Sequence, residues 1–367
     1  MTFLKPLTTF LLCVALIGAC RQPGKPVTDT EAIDFAKTIE TSVSQQNPDV
    51  LDNAIDRKYF AGLVLQQAGQ RFNFTLAQKA RTAVARIHVG QDVVKATRQN
   101  GSYVLVRRYE KDGHQHLLFR LISPNFDIDY NDLELIRGDQ GVRVVDIYNY
   151  GDGEQLSKAI TGKLLDAEKT APKSDTDREN ARLVGQAEQF LYGGNPDEAY
   201  SFYDQITDKA KKEQPIQRLH VRIAVKMGDS VYKAALKEYQ SNFPQDPFIY
   251  LAIFKNDARI QDFPGSLEAL DRFERFLPSD PFLDFFRAFI YKQMSNPLQS
   301  RLALERFHAW NPLNINVLVE LVDNHVKAGH LDSAAMLVLD AEQKKIITPE
   351  QVDTVKRIYP ALRTYLK

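Results

Sequence analysis

Only two cysteines occur in the 367 residues, Cys13 and Cys20, and both precede Arg21. Beyond that point there is no thiol for a disulfide framework, a cysteine-ligated metal or a cysteine nucleophile. A surplus of charge is also missing, since 47 lysines and arginines meet 47 aspartates and glutamates. Binding driven by phosphate neutralisation leaves a basic excess, so this balance argues against a nucleic-acid partner. The short basic run Lys209, Lys211 and Lys212 reads as a solvated helix end. No Gly-x-Ser-x-Gly elbow, no glycine-rich phosphate loop and no dinucleotide fingerprint is present. The expectation is a non-catalytic chain without a cofactor.

What is present begins with ordinary composition, 44% hydrophobic and 26% charged, over a length that suggests two or three domains. Lys5 is the only charge before Arg21, and the apolar run Phe10, Leu11, Leu12, Cys13, Val14, Ala15, Leu16, Ile17 is short for a bilayer span. It ends in small residues, as export signals do. Ile17-Gly18-Ala19-Cys20 resembles a bacterial lipobox. That resemblance implies a signal peptide over 1–19, lipid on Cys20 and a membrane-anchored protein of the bacterial cell envelope. Arg21, where an aspartate often retains such proteins in the inner membrane, points to the outer membrane. The polar segment with Pro23, Gly24 and Pro26 suits a tether over 20–29.

A first domain is expected over 30–165. Thr28 and Glu31 form a capping box, and Ala32, Phe35, Ala36, Ile39 and Val43 share one helical face. Asn47-Pro48 ends that helix. A second helix from about Asp49 carries Leu51, Ala54, Ile55 and Tyr59 to the same core, and further helix spans Leu76 to Val84. After Gly101 the period becomes two. Ser102 to Tyr109 and His116 to Ile122 flank a turn at Lys111-Asp112-Gly113, and Leu133 to Arg137 and Val142 to Tyr148 flank one at Gly138 to Gly141. Helices followed by an antiparallel meander make an α+β domain. The element order resembles cystatin-like and nuclear-transport-factor-2-like folds, which implies a concave sheet with room for a small molecule or glycan. A last helix over Glu154 to Leu165 and a polar linker over 166–176 follow, with Ser174 placed to cap the next helix.

From 177 to 367 the pattern is arithmetic. Ala235, Ala269 and Ala303 are 34 residues apart, each followed four places on by Tyr239, Phe273 or Phe307 and nine places on by Pro244, Pro278 or Pro312. A small residue lets helices approach, an aromatic one turn later fills the space, and proline ends the unit. The block resembles the tetratricopeptide repeat family. Ala199 and Tyr203 supply an earlier unit, and Ala335 and Leu339 a later one with the step shortened to 32, for about five units. The resemblance implies an all-α solenoid that holds a protein or peptide partner.

Candidate chemical sites are few. His114 and His116 should point to one side of a strand, without a third metal ligand nearby. Asp127, Asp129, Asn131 and Asp132 begin like a calcium loop, but Asp132 replaces the required glycine and Gly138 the closing glutamate, so a turn between strands explains them better. In the repeats, Phe254, Arg287 and Lys292 are the nominated partner contacts, a basic group beside an aromatic being suited to an acidic peptide or a C-terminal carboxylate. The alternative reading is ligand capture in the first domain, and a hydrolase without a recognisable motif stands behind both.

Overall fold

The computed structural model describes residues 26–69, 74–124, 127–168, 174–277 and 280–367, apart from the side chains of 166–168. The expected signal peptide, Cys20 and most of the tether lie outside the described residues, as do Pro278 and residues 169–173 of the expected linker. Chain contacts divide the molecule into two units. One runs up to Tyr148 and includes Gln155–Thr161; the other comprises Asn149–Glu154 and Gly162–Lys367.

The first unit opens with α1 (Asp29–Ser44), whose capping box forms as expected: the Thr28 hydroxyl accepts the Glu31 amide, and the Glu31 carboxylate accepts the Thr28 amide at 2.9 Å. The expected second helix is two, α2 (Asp49–Ala54) and α3 (Arg57–Gln67). The break has a cause. Ile55 leaves helical conformation to bridge Val144 in parallel, the Asp56 amide donates to the Val144 carbonyl at 2.8 Å, and the Asp56 side chain then caps α3. Phe60, not Tyr59, is thereby turned into the core. Then come α4 (Phe74–Ala85) and α5 (Val89–Thr97), the second starting at His88 without a capping side chain.

Five strands follow in a meander of order β1-β2-β3-β4-β5. They are β1 (Ser102–Lys111), β2 (His114–Ile122), β3 (Ile128–Gly138), β4 (Gly141–Asn149) and β5 (Glu154–Gln155), and α6 (Leu156–Glu168) comes next. The acidic run is therefore not a turn. Ile128, Tyr130 and Leu133 are fully buried, and their burial draws Asp129, Asn131 and Asp132 into β3, paired with Leu121, Phe119 and Leu118 of β2.

In the second unit helices alternate in pairs: α7 (Asp175–Tyr192) with α8 (Pro196–Asp204), then, after the single turn α9 (Asp208–Lys211), α10 (Gln214–Met227) with α11 (Asp229–Asn242). The pairs α12 (Pro247–Arg259) with α13 (Phe263–Glu274), α14 (Phe282–Gln293) with α15 (Pro297–Trp310) and α16 (Ile315–Lys327) with α17 (Leu331–Gln343) complete the run. It closes with α18 (Pro349–Ile358) and a short 3-10 helix over Pro360–Thr364. The chain is thus an α+β unit, helices first, followed by an all-α run of paired helices.

The period is written in the backbone. Within each pair the connecting turn holds one left-handed residue, Gly194, Gly228, Gln261, Ser295 and Gly329 in succession, at steps of 34, 33, 34 and 34. Between pairs the next helix is capped by Asp246, Asp280 and Asn314, again 34 apart, each accepting a backbone amide of the first turn. Ala235, Ala269 and Ala303 are buried, and Tyr239, Phe273 and Phe307 have no exposed surface. Neighbouring helices share core clusters, as in that of Ala288, Ala303, Leu304, Phe307, Val317 and Leu321.

The last unit corrects the expected 32-residue step. Because Ser295 and Gly329 are 34 apart, the residues equivalent to Ala303 and Phe307 are Leu337 and Ala341, not Ala335 and Leu339. Small and large have changed places. Leu337 packs into the clusters on both sides of it and Ala341 is buried.

Candidate interaction surfaces

The three nominated residues of the repeats have different surroundings. Phe254 is 4% exposed and meets the ring of Phe286 edge-on at 5.3 Å. Arg287 is 8% exposed, donating to Asp271 at 2.9 Å and Glu274 at 2.6 Å, with Asp284 at 3.4 Å. Both are committed to packing within the unit. Lys292 is exposed and pairs with Glu320 of the next helix pair at 2.7 Å.

A second buried ion pair explains why the first aromatic of the 34-residue series is tyrosine. The Tyr239 hydroxyl donates to Asp246 at 2.5 Å and accepts from Arg218 Nε at 2.9 Å, while Arg218 also donates to Asp246 at 2.9 Å. Burial and the Asp246 carboxylate both push the Tyr239 pKa above its ordinary value.

Exposed apolar side chains are distributed unevenly. In the first unit only Ile33 and Phe74 are large and exposed among the described residues. From α14 onward they gather. Phe289 and Val319 are each 55% exposed, Ile315 lies one turn before Val319 on the same face of α16, and Trp310 and Leu313 stand at the turn leading into it. On α15 Leu298 and Leu302, and on α17 Met336 and Leu339, form two further exposed pairs at helical spacing. Sequence reading missed these positions because their spacing matches that of core residues, and only burial separates the two.

Among solved structures the chain is similar to the "Crystal structure of MamA protein", with a TM-score of 0.38 and 14% identity over 46% of this chain and 93% of that one. A second match, "MamA AMB-1", has a TM-score of 0.38 and 11% identity over 48% of this chain and 97% of that one. No protein-family model and no curated protein matches the chain. The likeness is one of fold.

In the first unit, His114 and His116 do share a side of β2, and each is held by a carboxylate of β3. His114 Nδ1 lies 2.5 Å from Glu134 Oε1, and His116 Nδ1 lies 3.1 Å from Asp132 Oδ1. The other Asp132 oxygen accepts the Tyr109 hydroxyl, and the Tyr109 ring stacks on His116 at 4.9 Å. Among the described residues, no group of three or more His, Cys, Asp or Glu is arranged to hold a metal. These pairs join three strands across one sheet face.

An open groove of about 520 Å³ lies between the last turn of α1 and the start of β1, lined by Glu40, Thr41, Ser44, Gln99, Asn100 and Tyr103 among others. Its lining mixes hydroxyl and carboxamide side chains with Val43, Gly101 and Val104. Gly101 is fixed there by space, since a Cβ would come within 2.6 Å of the Ile122 carbonyl oxygen and 2.7 Å of Thr97 Cα.

Proposed function

We propose that the chain is a non-catalytic binding scaffold whose helical unit holds a protein or peptide partner through the apolar side chains exposed on α14–α17. The observation that carries this reading is that exposed large apolar side chains, Phe289, Leu313, Ile315, Val319 and Met336 among them, are concentrated in the α14–α17 stretch of the described chain. A surface of that kind gains by being covered, and repeat units with a continuous outer face are suited to present it.

The reading includes attachment of the chain through lipid on Cys20 to the bacterial envelope, with the outer membrane as its place. Support for this comes from the residue order Ile17-Gly18-Ala19-Cys20 behind an apolar run. Among the described residues, no helix is long and apolar enough to cross a membrane.

The test uses the full chain with Phe289→Asp and Val319→Asp, extracted in mild detergent beside the unaltered protein. A stoichiometric partner retained by the unaltered chain and lost by the variant, with helical content unchanged, is the expected result. Equal recovery by both would reject the surface. Separately, Cys20→Ser should move the protein to the soluble fraction, and continued membrane association would reject the lipid anchor.

A further inference from the structure

The groove of the first unit is walled by the ends of two helices and the start of a strand, and the two helix ends share a feature. Gln46, just past α1, and Gln99, just past α5, have left-handed φ angles of 59° and 60°, and Asn100 follows at 81°. Glycine is the ordinary residue where a helix ends in that conformation, because a Cβ is disfavoured there. Here each position carries a carboxamide instead. All three side chains are exposed, and all three line the groove.

The turn that presents Gln99 and Asn100 is fixed in place. The Gly101 amide donates to the Thr97 carbonyl at 3.0 Å, and a Cβ on Gly101 would lie 2.6 Å from the Ile122 carbonyl oxygen. The polar groups around it are little used by the chain itself. Among the described residues, the side chains of Thr41, Gln99, Asn100 and Ser102 have no hydrogen-bond partner, and the Gln46 amide reaches only the Val43 carbonyl at 3.4 Å. Glu40 spends one oxygen, Oε1, on the Leu105 amide at 2.7 Å. Its other oxygen is left for a donor.

The lining sets the ligand class. Among the described residues it has no cation to hold a phosphate or carboxylate, and one carboxylate where a calcium ion takes several oxygen ligands. A carboxamide offers a donor beside an acceptor, a hydroxyl offers both, and a carboxylate accepts twice, a set that matches the neighbouring hydroxyls of a sugar ring. Val43 and Val104 supply apolar surface for its C–H face. The volume of about 520 Å³ is that of a small-molecule site.

We propose that this groove binds a short neutral saccharide, held by the carboxamides of Gln46, Gln99 and Asn100 and by the second oxygen of Glu40. The contacts come from the exposed helix ends, and the covered Tyr103 at the base of the groove takes no part. The site belongs to the first unit and is independent of the apolar surface of the helical unit.

Left-handed backbone separates binding from folding in the test. Gln46→Gly, Gln99→Gly and Asn100→Gly together remove the three carboxamides and suit the backbone already present, so the triple variant should melt within about 3 °C of the unaltered chain. The full chain and this variant are titrated with glucose, galactose and N-acetylglucosamine, each to 100 mM, and with the β-1,4-linked disaccharide of each, while backbone amide resonances are followed. At least one of these sugars should shift the amides of residues 46 and 99–102 saturably, and the triple variant should bind it at least tenfold more weakly. Inorganic phosphate should leave those amides unmoved. No saturable shift with any of the six sugars would overturn the proposal, as would equal binding by the triple variant or a phosphate response at the same amides. A triple variant that melts far lower would overturn it too, by showing that the carboxamides serve the fold.

Discussion

Ser300 on α15 donates its hydroxyl to the Ala288 carbonyl on α14 at 2.9 Å, from a buried side chain where nothing larger fits between the helices. One repeat earlier Ser266 does the same to the Phe254 carbonyl at 3.3 Å. The contact ties the two helices of a pair together. Replacing Ser300 by alanine removes one hydrogen bond and should cost ~1 kcal/mol. Ser300→Leu must separate the helices, and ~3 kcal/mol is expected from overpacking. Urea unfolding of the full chain, followed by helical circular dichroism, measures both, and equal midpoints for the two variants would contradict the packing assigned to this position.

Arg287 and Lys292 lie on one helix and should behave oppositely. Arg287 is buried against Asp271, Glu274 and Asp284, so Arg287→Ala leaves carboxylates without their cation and is expected to cost about 2–3 kcal/mol, the partial exposure of Asp271 moderating the loss. Lys292→Ala removes an exposed pair with Glu320 and should change stability by less than ~0.5 kcal/mol. Thermal unfolding of the two variants decides this, and a large effect at Lys292 would refute the assignment.

Acid should loosen the helical unit. Burial holds the pKa values of His220, His308 and His325 below the ordinary histidine value. The unfolded chain therefore takes up protons first, and stability falls as pH drops from about 7.5 through about 6.5 and onward to the lowered folded values. Asp146, Glu154 and Asp257, whose pKa values burial raises, act in the opposite sense as they protonate, so the comparison stops at about pH 5.5. Melting temperatures across that window should decline, and His308→Gln with His325→Gln should flatten the slope. A slope unchanged by both substitutions would contradict the account.

Two glycines give a signed test. Gly101→Ala places a Cβ against the Ile122 carbonyl and Thr97, and about 2 kcal/mol or more should be lost. Gly62, exposed within α3, has open space around the same atom, and Gly62→Ala should stabilise by ~0.5–1 kcal/mol through helix propensity. Chemical denaturation reads both, and effects of the same sign would show that the backbone there is placed differently.

Much of the fold was legible in the sequence because burial imposes a period. Ala235, Ala269, Ala303 and the aromatics four places on gave the step of 34 residues directly. In the last unit Leu337 and Ala341 reverse the order of small and large, so the residue types point to Ala335 instead. The capping series Asp246, Asp280 and Asn314 carries the same step in polar residues and was overlooked beside the apolar signal. At β3 the acidic residues suggested a turn, whereas Ile128 and Tyr130 between them bury enough surface to hold the strand. The interaction surface was the least legible part. Phe254 and Arg287 have the composition of a binding site and the burial of a core, and no periodicity distinguishes Phe289, which is exposed, from Phe286 and Phe285 beside it.

The most direct measurement is hydrogen exchange on the full chain, free and in the complex it co-purifies with. If α14–α17 hold the partner, the added protection falls mainly on residues 289–339, with the first unit little changed. Protection confined to residues 26–161, with α14–α17 exchanging as in the free chain, would contradict the account.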